Sequence, residues 1–307
     1  MALATYNDLL SAVANWLNRS GDTAITGNDD DLVTLCESRI HLGYGSPGDA
    51  FYSPALRTRQ MEAVKVIPVQ ATQDGGTSSG TDTITVTLSS APTAGEGLSI
   101  SFTAGGSNTG AATLNPNSVG AVDIRKGSTQ TALAAGDIVS GASHIVTHDG
   151  TYYRLMPSAG AIPLPTDFLG IRSVFFQGSP LTALNQVSPA QFDAHSWSAA
   201  NGTPRIYCIE GDVIRFGPRP DTNYYLVVNY YKKMAALSGT VNRLFTDAPN
   251  IYLFGTLLEA CIFLGDWDNA VKNHALFMGA VKGLAHTNQM DRYGAAPLTM
   301  RISGPTP

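Results

Sequence analysis

An α+β fold is expected of this 307-residue chain, and three patterns predict it. Apolar residues recur at a helical period near both ends. Between residues 67 and 159 the composition changes: 93 residues hold 13 Gly and only 9 charged side chains, and short apolar–polar alternations take over. A second strand-rich stretch fills 168–231 before helices return at 249. These patterns describe N- and C-terminal helices packed as a helical bundle, a small β-domain in the second half, and an inserted all-β domain of sandwich or barrel type. The chain divides accordingly into a discontinuous domain (1–66 and 160–290), an inserted β-domain (67–159) and an extended C-terminal tail (291–307).

The first helix is expected over 5–18. Tyr6, Leu9, Leu10, Val13, Trp16 and Leu17 form one stripe, and Thr5 with Asp8 approximates a capping box. A second helix, 29–42, opens on Asp29, Asp30 and Asp31, where a helix N-terminus favours negative charge, and stops at Gly43. Leu32, Leu35, Cys36, Arg39 and Ile40 make its stripe, and 56–64 reads as a short third helix. In the insert, strands are expected at 83–88, 98–102, 121–124, 137–139, 144–146 and 152–155, separated by Gly, Asn, Pro and Ser clusters. Pro163-Leu164-Pro165 marks a boundary. Beyond it, 168–176, 205–209, 213–216 and 224–231 are strands, with Glu210-Gly211-Asp212 as a hairpin turn. Asp247 and Pro249 suit the start of a helix over 249–264 that is apolar almost all round, so most of its faces need cover. Asp266 caps a last helix, 266–286, with a stripe from Trp267 to Leu284. Periodicity ends near Thr287, and the remaining residues read as extended.

Several functional classes are excluded. Charged residues are 14% of the chain and the net charge is −5, so it does not coat nucleic acid, which needs clustered Lys and Arg. No run of ~18 apolar residues predicts a membrane span, and the start, MALATYNDLL, lacks the basic region of a signal peptide. Cys36, Cys208 and Cys261 are too few and too scattered for a disulfide framework or a zinc site.

The short motifs have poor contexts. Gly43-Tyr44-Gly45-Ser46-Pro47-Gly48 matches the dinucleotide pattern but follows a helix, not a strand. Gly76-Thr77-Ser78-Ser79-Gly80 matches a nucleophile elbow but no helix follows it. His144 and His148 share a strand face ~13 Å apart, too far for one metal. Asp29–Asp31 is a solvated helix start more simply than a cation site. The chain is expected to be no enzyme and to use no cofactor or metal.

What stands out is an aromatic excess in the last third: Tyr224, Tyr225, Tyr230, Tyr231, Tyr252, Phe254, Phe263 and Trp267. These residues serve either a core within one chain or contacts between subunits, whose centres are rich in aromatic side chains.

The chain resembles the adaptor, or head-to-tail connector, proteins of tailed bacteriophages. The resemblance is carried by Tyr6-Asn7-Asp8-Leu9-Leu10 through Trp16-Leu17-Asn18-Arg19, by Cys36-Glu37-Ser38-Arg39-Ile40 and by Leu56-Arg57-Thr58-Arg59-Gln60-Met61-Glu62. It resumes at Leu164-Pro165-Thr166-Asp167-Phe168-Leu169 and Pro204-Arg205-Ile206-Tyr207. It closes with Tyr230-Tyr231-Lys232-Lys233 and the 249–264 segment. The resemblance implies a structural protein of the virion neck, made in the host cytoplasm. Such proteins form a ring, usually of twelve copies, that binds the portal protein above and tail or nozzle proteins below. Viral DNA passes through the lumen without sequence-specific contact, and no membrane is involved. Tyr252, Phe254, Phe263, Trp267, His274, Tyr293, Met300 and Arg301 are then the candidate subunit or portal contacts. The insert departs from the family pattern. Its run Asn108–Asn115 and Leu133-Ala134-Ala135-Gly136-Asp137-Ile138 resembles β-rich modules of phage fibre and decoration proteins. The alternative is therefore a fibre, receptor-binding or decoration protein acting through the insert.

Overall fold

The computed structural model describes residues 3–19, 22–90, 92, 95–177, 182–194 and 201–293. The fold is mixed α+β, and the chain separates into two compact units. One is helical and built from both chain ends, residues 1–62 and 231–307; the other is residues 63–230. The strand-rich stretch from 168 therefore groups with the inserted strands, and the crossings fall at 62/63 and 230/231, where the sequence suggested 66/67 and 159/160.

In the helical unit, α1 (Tyr6–Trp16) begins with the expected capping box: Thr5 Oγ1 accepts from the Asp8 N–H and Asp8 Oδ2 accepts from the Thr5 N–H. A short α2 (Thr23–Thr26) leads to α3 (Asp29–Leu42), which has the predicted bounds. Residues 56–64 are not a helix. Arg59–Met61 form one 3-10 turn and Glu62 opens a strand, because the alternation of Ala63, Lys65, Ile67 and Val69 has period two. The second unit contains α4 (Pro189–Ala194), and after that unit come α5 (Arg243–Asp247), α6 (Pro249–Leu264) and α7 (Trp267–Tyr293). Asp247 does not cap α6. It is the last residue of α5, where its carboxylate accepts from Gln60 Nε2 at 3.1 Å, and α6 starts from Ala248 with Pro249 in its first turn. Gly265 takes a left-handed conformation (φ 72°) that ends α6, and Asp266 then caps α7 by accepting from the Asn269 N–H.

The last helix runs seven residues past its expected end. The apolar stripe stops near Leu284, but polar partners continue the helix. Asn288 donates to Gln60 Oε1 at 3.2 Å, Asp291 pairs with Arg59 at 3.1 Å, and Arg292 pairs with Glu62. Residues 294–307 of the expected tail, with Met300 and Arg301, lie outside the described residues.

The helices meet around α6, as its apolar circumference required. Gly255 sits at the centre: a methyl group there would come within 2.5 Å of Cys36 Sγ on α3 and 3.2 Å of the Phe277 ring on α7. The missing side chain lets three helices cross closely at a helix-propensity cost of about 1 kcal/mol relative to Ala. Beside this crossing, Arg39 is buried (3% exposed), although a stripe position would ordinarily be apolar. Its Nε lies 2.6 Å from Glu259 Oε1, Nη1 donates to the Phe51 carbonyl at 3.0 Å, and the guanidinium covers the Tyr44 ring at 4.1 Å. Two residues to either side, Glu37 and His41 hold the returning chain. Glu37 accepts from the Leu237 N–H at 2.7 Å and His41 Nε2 accepts from the Met234 N–H at 3.2 Å.

In the second unit, β1 (Glu62–Val69) is followed by β2 (Gln73–Thr77), β3 (Thr83–Val86), β4 (Ser99–Thr103), β5 (Ala112–Pro116), β6 (Val122–Lys126), β7 (Thr131–Ala132), β8 (Ser143–His148) and β9 (Tyr153–Met156). Then come β10 (Ala161–Pro163), β11 (Phe168–Phe176), β12 (Thr182–Ala183), β13 (Asn185–Gln186), β14 (Ile206–Glu210), β15 (Val213–Gly217) and β16 (Tyr224–Lys232). The inserted strands form one eight-stranded sheet in the order β2-β4-β8-β9-β6-β5-β3, with β7 on β6. It nearly closes as a barrel, because Ser79, just past β2, exchanges two backbone hydrogen bonds with Thr85 of β3. Ile84, Ile100, Phe102, Leu114, Val146 and Tyr153 fill its core. Gly97 belongs to the turn before β4, where any Cβ would lie 2.0 Å from the Pro68 carbonyl oxygen. Two four-stranded sheets, β1-β16-β11-β12 and β10-β15-β14-β13, share a second core of Ile67, Val174, Tyr207, Ile214, Phe216, Leu226 and Val228.

Residues 137–139, expected as a strand, are a turn. Ile138 is fully buried, but its N–H goes to Asn108 Oδ1, and the Asp137 carboxylate takes Lys126 Nζ and the Ala134 N–H, leaving no ladder to join. β2 and β5 were not anticipated: β2 reads QDGGT, without apolar alternation.

Two predictions follow from the packing of α3. Gly255→Ala is expected to destabilise the protein by about 1–3 kcal/mol through overpacking, even though Ala is the better helix former. Adding Cys36→Ala should recover part of the loss, and urea unfolding of the three variants gives the coupling energy. The second concerns His41, whose pKa burial, and then the nearby Lys233 and Arg57, push down from 6.5 to about 4. The unfolded chain takes up a proton below pH 6.5 while the folded one resists, so His41 costs stability as pH falls through that window, up to about 3 kcal/mol. Glu37, whose pKa burial raises, acts in the opposite direction, gaining its proton earlier in the fold than unfolded. The difference between wild type and His41→Gln isolates the histidine: the variant should lose the part of the acid sensitivity between pH 6.5 and 4 that His41 supplies.

Candidate contact surface of the helical unit

The α7 stripe is wide enough to serve two surfaces. Ala270, Phe277 and Val281 are buried against the rest of the unit, whereas Trp267 (58% exposed), Val271 (57%) and Leu276 (46%) face outward. α6 supplies Phe263 (55% exposed) and α1 supplies Trp16 (60%). A groove of about 350 Å³ runs among these helices, lined by Trp16, Leu17, Leu257, Leu264 and Leu276. A shallower one, of about 560 Å³, follows α7 past Phe254, Leu276, Gly279, Ala280 and Gly283. Charged groups at the first groove are confined to Arg19, Asp266 and Lys272. The surface thus offers aromatic and aliphatic area with a polar margin, the composition that a protein partner covers.

The residues singled out in the sequence separate into distinct roles. Tyr252 is fully buried; its hydroxyl accepts from Asn242 Nδ2 at 2.8 Å and its ring packs edge-on against Phe245. It is a core residue of its own chain. Phe254 is half-buried, with Trp16 edge-on at 5.8 Å. Phe263 and Trp267 are the exposed members. Trp267 also stacks on Phe51 at 6.2 Å, and His274 meets the same ring edge-on at 5.7 Å. Together they seat the loop 44–53, whose ends are bridged by Tyr44 and Ser53. Tyr293 ends α7, and Met300 and Arg301 fall outside the described residues. Trp16, Val271 and Leu276 belong to the same surface. Trp16 and Val271 were visible as stripe members, but no sequence signal separated the outward edge of a stripe from its inward one. Leu35, also a stripe member, is 53% exposed.

The nucleophilic and titratable side chains are engaged in the fold. His274 Nε2 lies 2.9 Å from the Tyr52 carbonyl and 3.4 Å from Ser53 Oγ. A carbonyl only accepts, so Nε2 carries the proton and cannot serve as a base toward Ser53. Burial raises all three thiols, Cys36 to about 12, which leaves them protonated and unreactive. Tyr6 donates to Asp30, and among the described residues no three His, Cys, Asp or Glu side chains group as metal ligands. In the second unit His144 accepts from the Val139 N–H and His148 from the Gly150 N–H, each through one ring nitrogen. No described helix is long and apolar enough to cross a membrane.

The model of the SU10 adaptor protein family matches residues 130–301, more than half of the chain. The chain belongs to this family. It is therefore a bacteriophage adaptor-type structural protein. No curated protein matches the sequence. The SU10 adaptor match begins at Gln130, just before β7, so it includes β7 to β9 of the eight-stranded sheet together with α4 to α7. It therefore starts inside the stretch that the sequence reading set apart as an insert, and the N-terminal segments that carried part of the resemblance precede it.

His274→Ala is expected to loosen the 44–53 loop, seen as several-fold faster limited proteolysis there. Ser53→Ala should leave the rate close to wild type, since Ser53 contributes little to the histidine's position.

Proposed function

We propose that this SU10 adaptor family protein forms the head-to-tail ring of the virion neck. In that reading, twelve copies of the chain join the portal protein to tail or nozzle proteins. The helical unit acts as a bundle that packs against neighbours, and viral DNA passes through the lumen without sequence-specific contact. The protein does no catalysis, being made in the host cytoplasm and assembled into the particle.

The observation that carries this reading is the outward band of Trp16, Phe263, Trp267, Val271 and Leu276 on helices that already have a filled core. A stable contact needs roughly 800 Å² from each partner. A closed ring takes it from two different faces of each subunit, and α1, α6 and α7 present apolar residues on more than one side.

The test is assembly. Purified protein mixed with portal should give rings in electron micrographs, with the copy number read from symmetry and native mass. Because Phe263 and Val271 are more than half exposed, Phe263→Glu with Val271→Glu should keep the thermal midpoint within a few degrees while abolishing the rings. Absence of rings on portal, or a variant that assembles as well as wild type, overturns the proposal.

A further inference from the structure

The second unit holds a cleft of about 380 Å³ that has no part in the contact surface just described. One wall is apolar: Ile67, Ile162, Pro163, Leu164 and Pro165. The other is polar and comes from the end of β8, the turn after it and β9. Most of the polar atoms there are already engaged. Asp149 accepts from the Thr151 and Tyr152 N–H groups and from Gln130, and lies near Arg154. Lys65 pairs with Glu96 at 2.6 Å, and Tyr230 donates to Asp167 at 3.0 Å.

What remains is one free ring donor, together with carboxylates whose second oxygens have acceptor capacity left. Arg154, with its side chain 3% exposed, makes hydrogen bonds through both terminal nitrogens, to Gly127, Asp149 and Asp212, but its buried Nε has no partner. His148 is 6% exposed and its Nδ1 accepts from the Gly150 N–H, so the neutral ring carries its hydrogen on Nε2, where no described group receives it. Burial holds His148 below the ordinary histidine range, which keeps it neutral at physiological pH. The hydroxyls of Thr151 and Thr166 line the same space, as do the carboxylates of Glu96 and Asp167.

The charges narrow the ligand. Lys65 and Arg154 face Glu96, Asp149 and Asp167, a net of −1 with His148 neutral, and both cations are already paired with carboxylates. Phosphate finds no free cation there. A neutral ring bearing several hydroxyls fits better: each hydroxyl both donates and accepts, matching an N–H donor beside carboxylate acceptors, while its C–H face rests on the proline and aliphatic wall. We propose that this cleft binds a neutral saccharide, one or two sugar rings in size, with His148, Glu96 and Asp167 as the hydrogen-bonding residues.

The experiment uses the full chain and saturation-transfer NMR with glucose, galactose, N-acetylglucosamine and inorganic phosphate as separate probes. At least one sugar should bind, at about millimolar affinity, and phosphate should not. Thr166 is exposed at the mouth, so Thr166→Trp fills the cleft without entering the core. His148→Phe removes the Nε2 donor while keeping a ring against Tyr153, which packs edge-on at 4.9 Å. Each variant should weaken sugar binding about tenfold or more, the size of one lost buried hydrogen bond or a steric block, with an unchanged circular dichroism spectrum. Failure of every sugar to bind, binding of phosphate in preference, or sugar binding that survives both substitutions would each overturn the inference. The readout needs no ring, so it is independent of the assembly test.

Discussion

The helical unit depends on one buried ion pair. Arg39 of α3 and Glu259 of α6 are 220 residues apart in the chain and 2.6 Å apart in the fold. Neither half of the unit has a complete core: α3 comes from the N-terminal end and α6 and α7 from the C-terminal end. A buried charge pair adds little net stability, since the desolvation of both ions offsets their attraction, but breaking one partner leaves an uncompensated charge costing about 3–5 kcal/mol. The pair therefore acts as a register lock. With Arg39 on Glu259, the thiol of Cys36 reaches Gly255, the guanidinium reaches the Phe51 carbonyl, and Glu37 and His41 meet the chain returning from β16. A slip of α3 along α6 by one turn would lose all of these together.

Much of this helical framework was legible because local chemistry and burial agreed. α3 and α6 have the predicted bounds, set by the acidic start and Gly43 in one case and by Pro249 and Gly265 in the other. Legibility failed where distant partners replaced local signals. The final turns of α7 are held by Gln60, Arg59 and Glu62, which no window around 287–293 contains. Leu56 to Val64 carried enough apolar residues for a helix, but Glu62 onward joins a sheet beside β16. In the barrel-like sheet the parallel pairings β2 with β4, β3 with β5 and β6 with β9 unite strands that are not sequence neighbours, so neither their order nor β2 was readable.

The contact surface was half legible for a similar reason. A helix apolar on every side, such as α6, does not reveal which aromatic residue meets its own chain. Tyr252 and Phe263 are both aromatic and eleven positions apart, about three turns, yet one is wholly enclosed and the other exposed. The cleft of the second unit was less legible still. His148 drew attention only as half of a histidine pair, whereas its neighbours Lys65, Glu96 and Asp167 come from segments separated by dozens of residues. The outward apolar band and the cleft thus lie in different parts of one molecule, the first on the helical unit and the second in the β unit, and the family match spans residues of both.

The two strands that carry the chain out of and back into the helical unit, β1 and β16, are neighbours in one sheet. This has a consequence for the order of events during synthesis. The first 62 residues leave the ribosome without α6 and α7, so Arg39 has no counter-ion and α3 no crossing partner until the chain is nearly finished. Bringing ends together across a loop of some 170 residues costs entropy that grows with the logarithm of its length. Once β1 and β16 are side by side, that cost has been met within the β unit, and α3 and α6 have only short tethers left to close. The β unit is thus a splint: its folding delivers the two halves of the helical unit to each other.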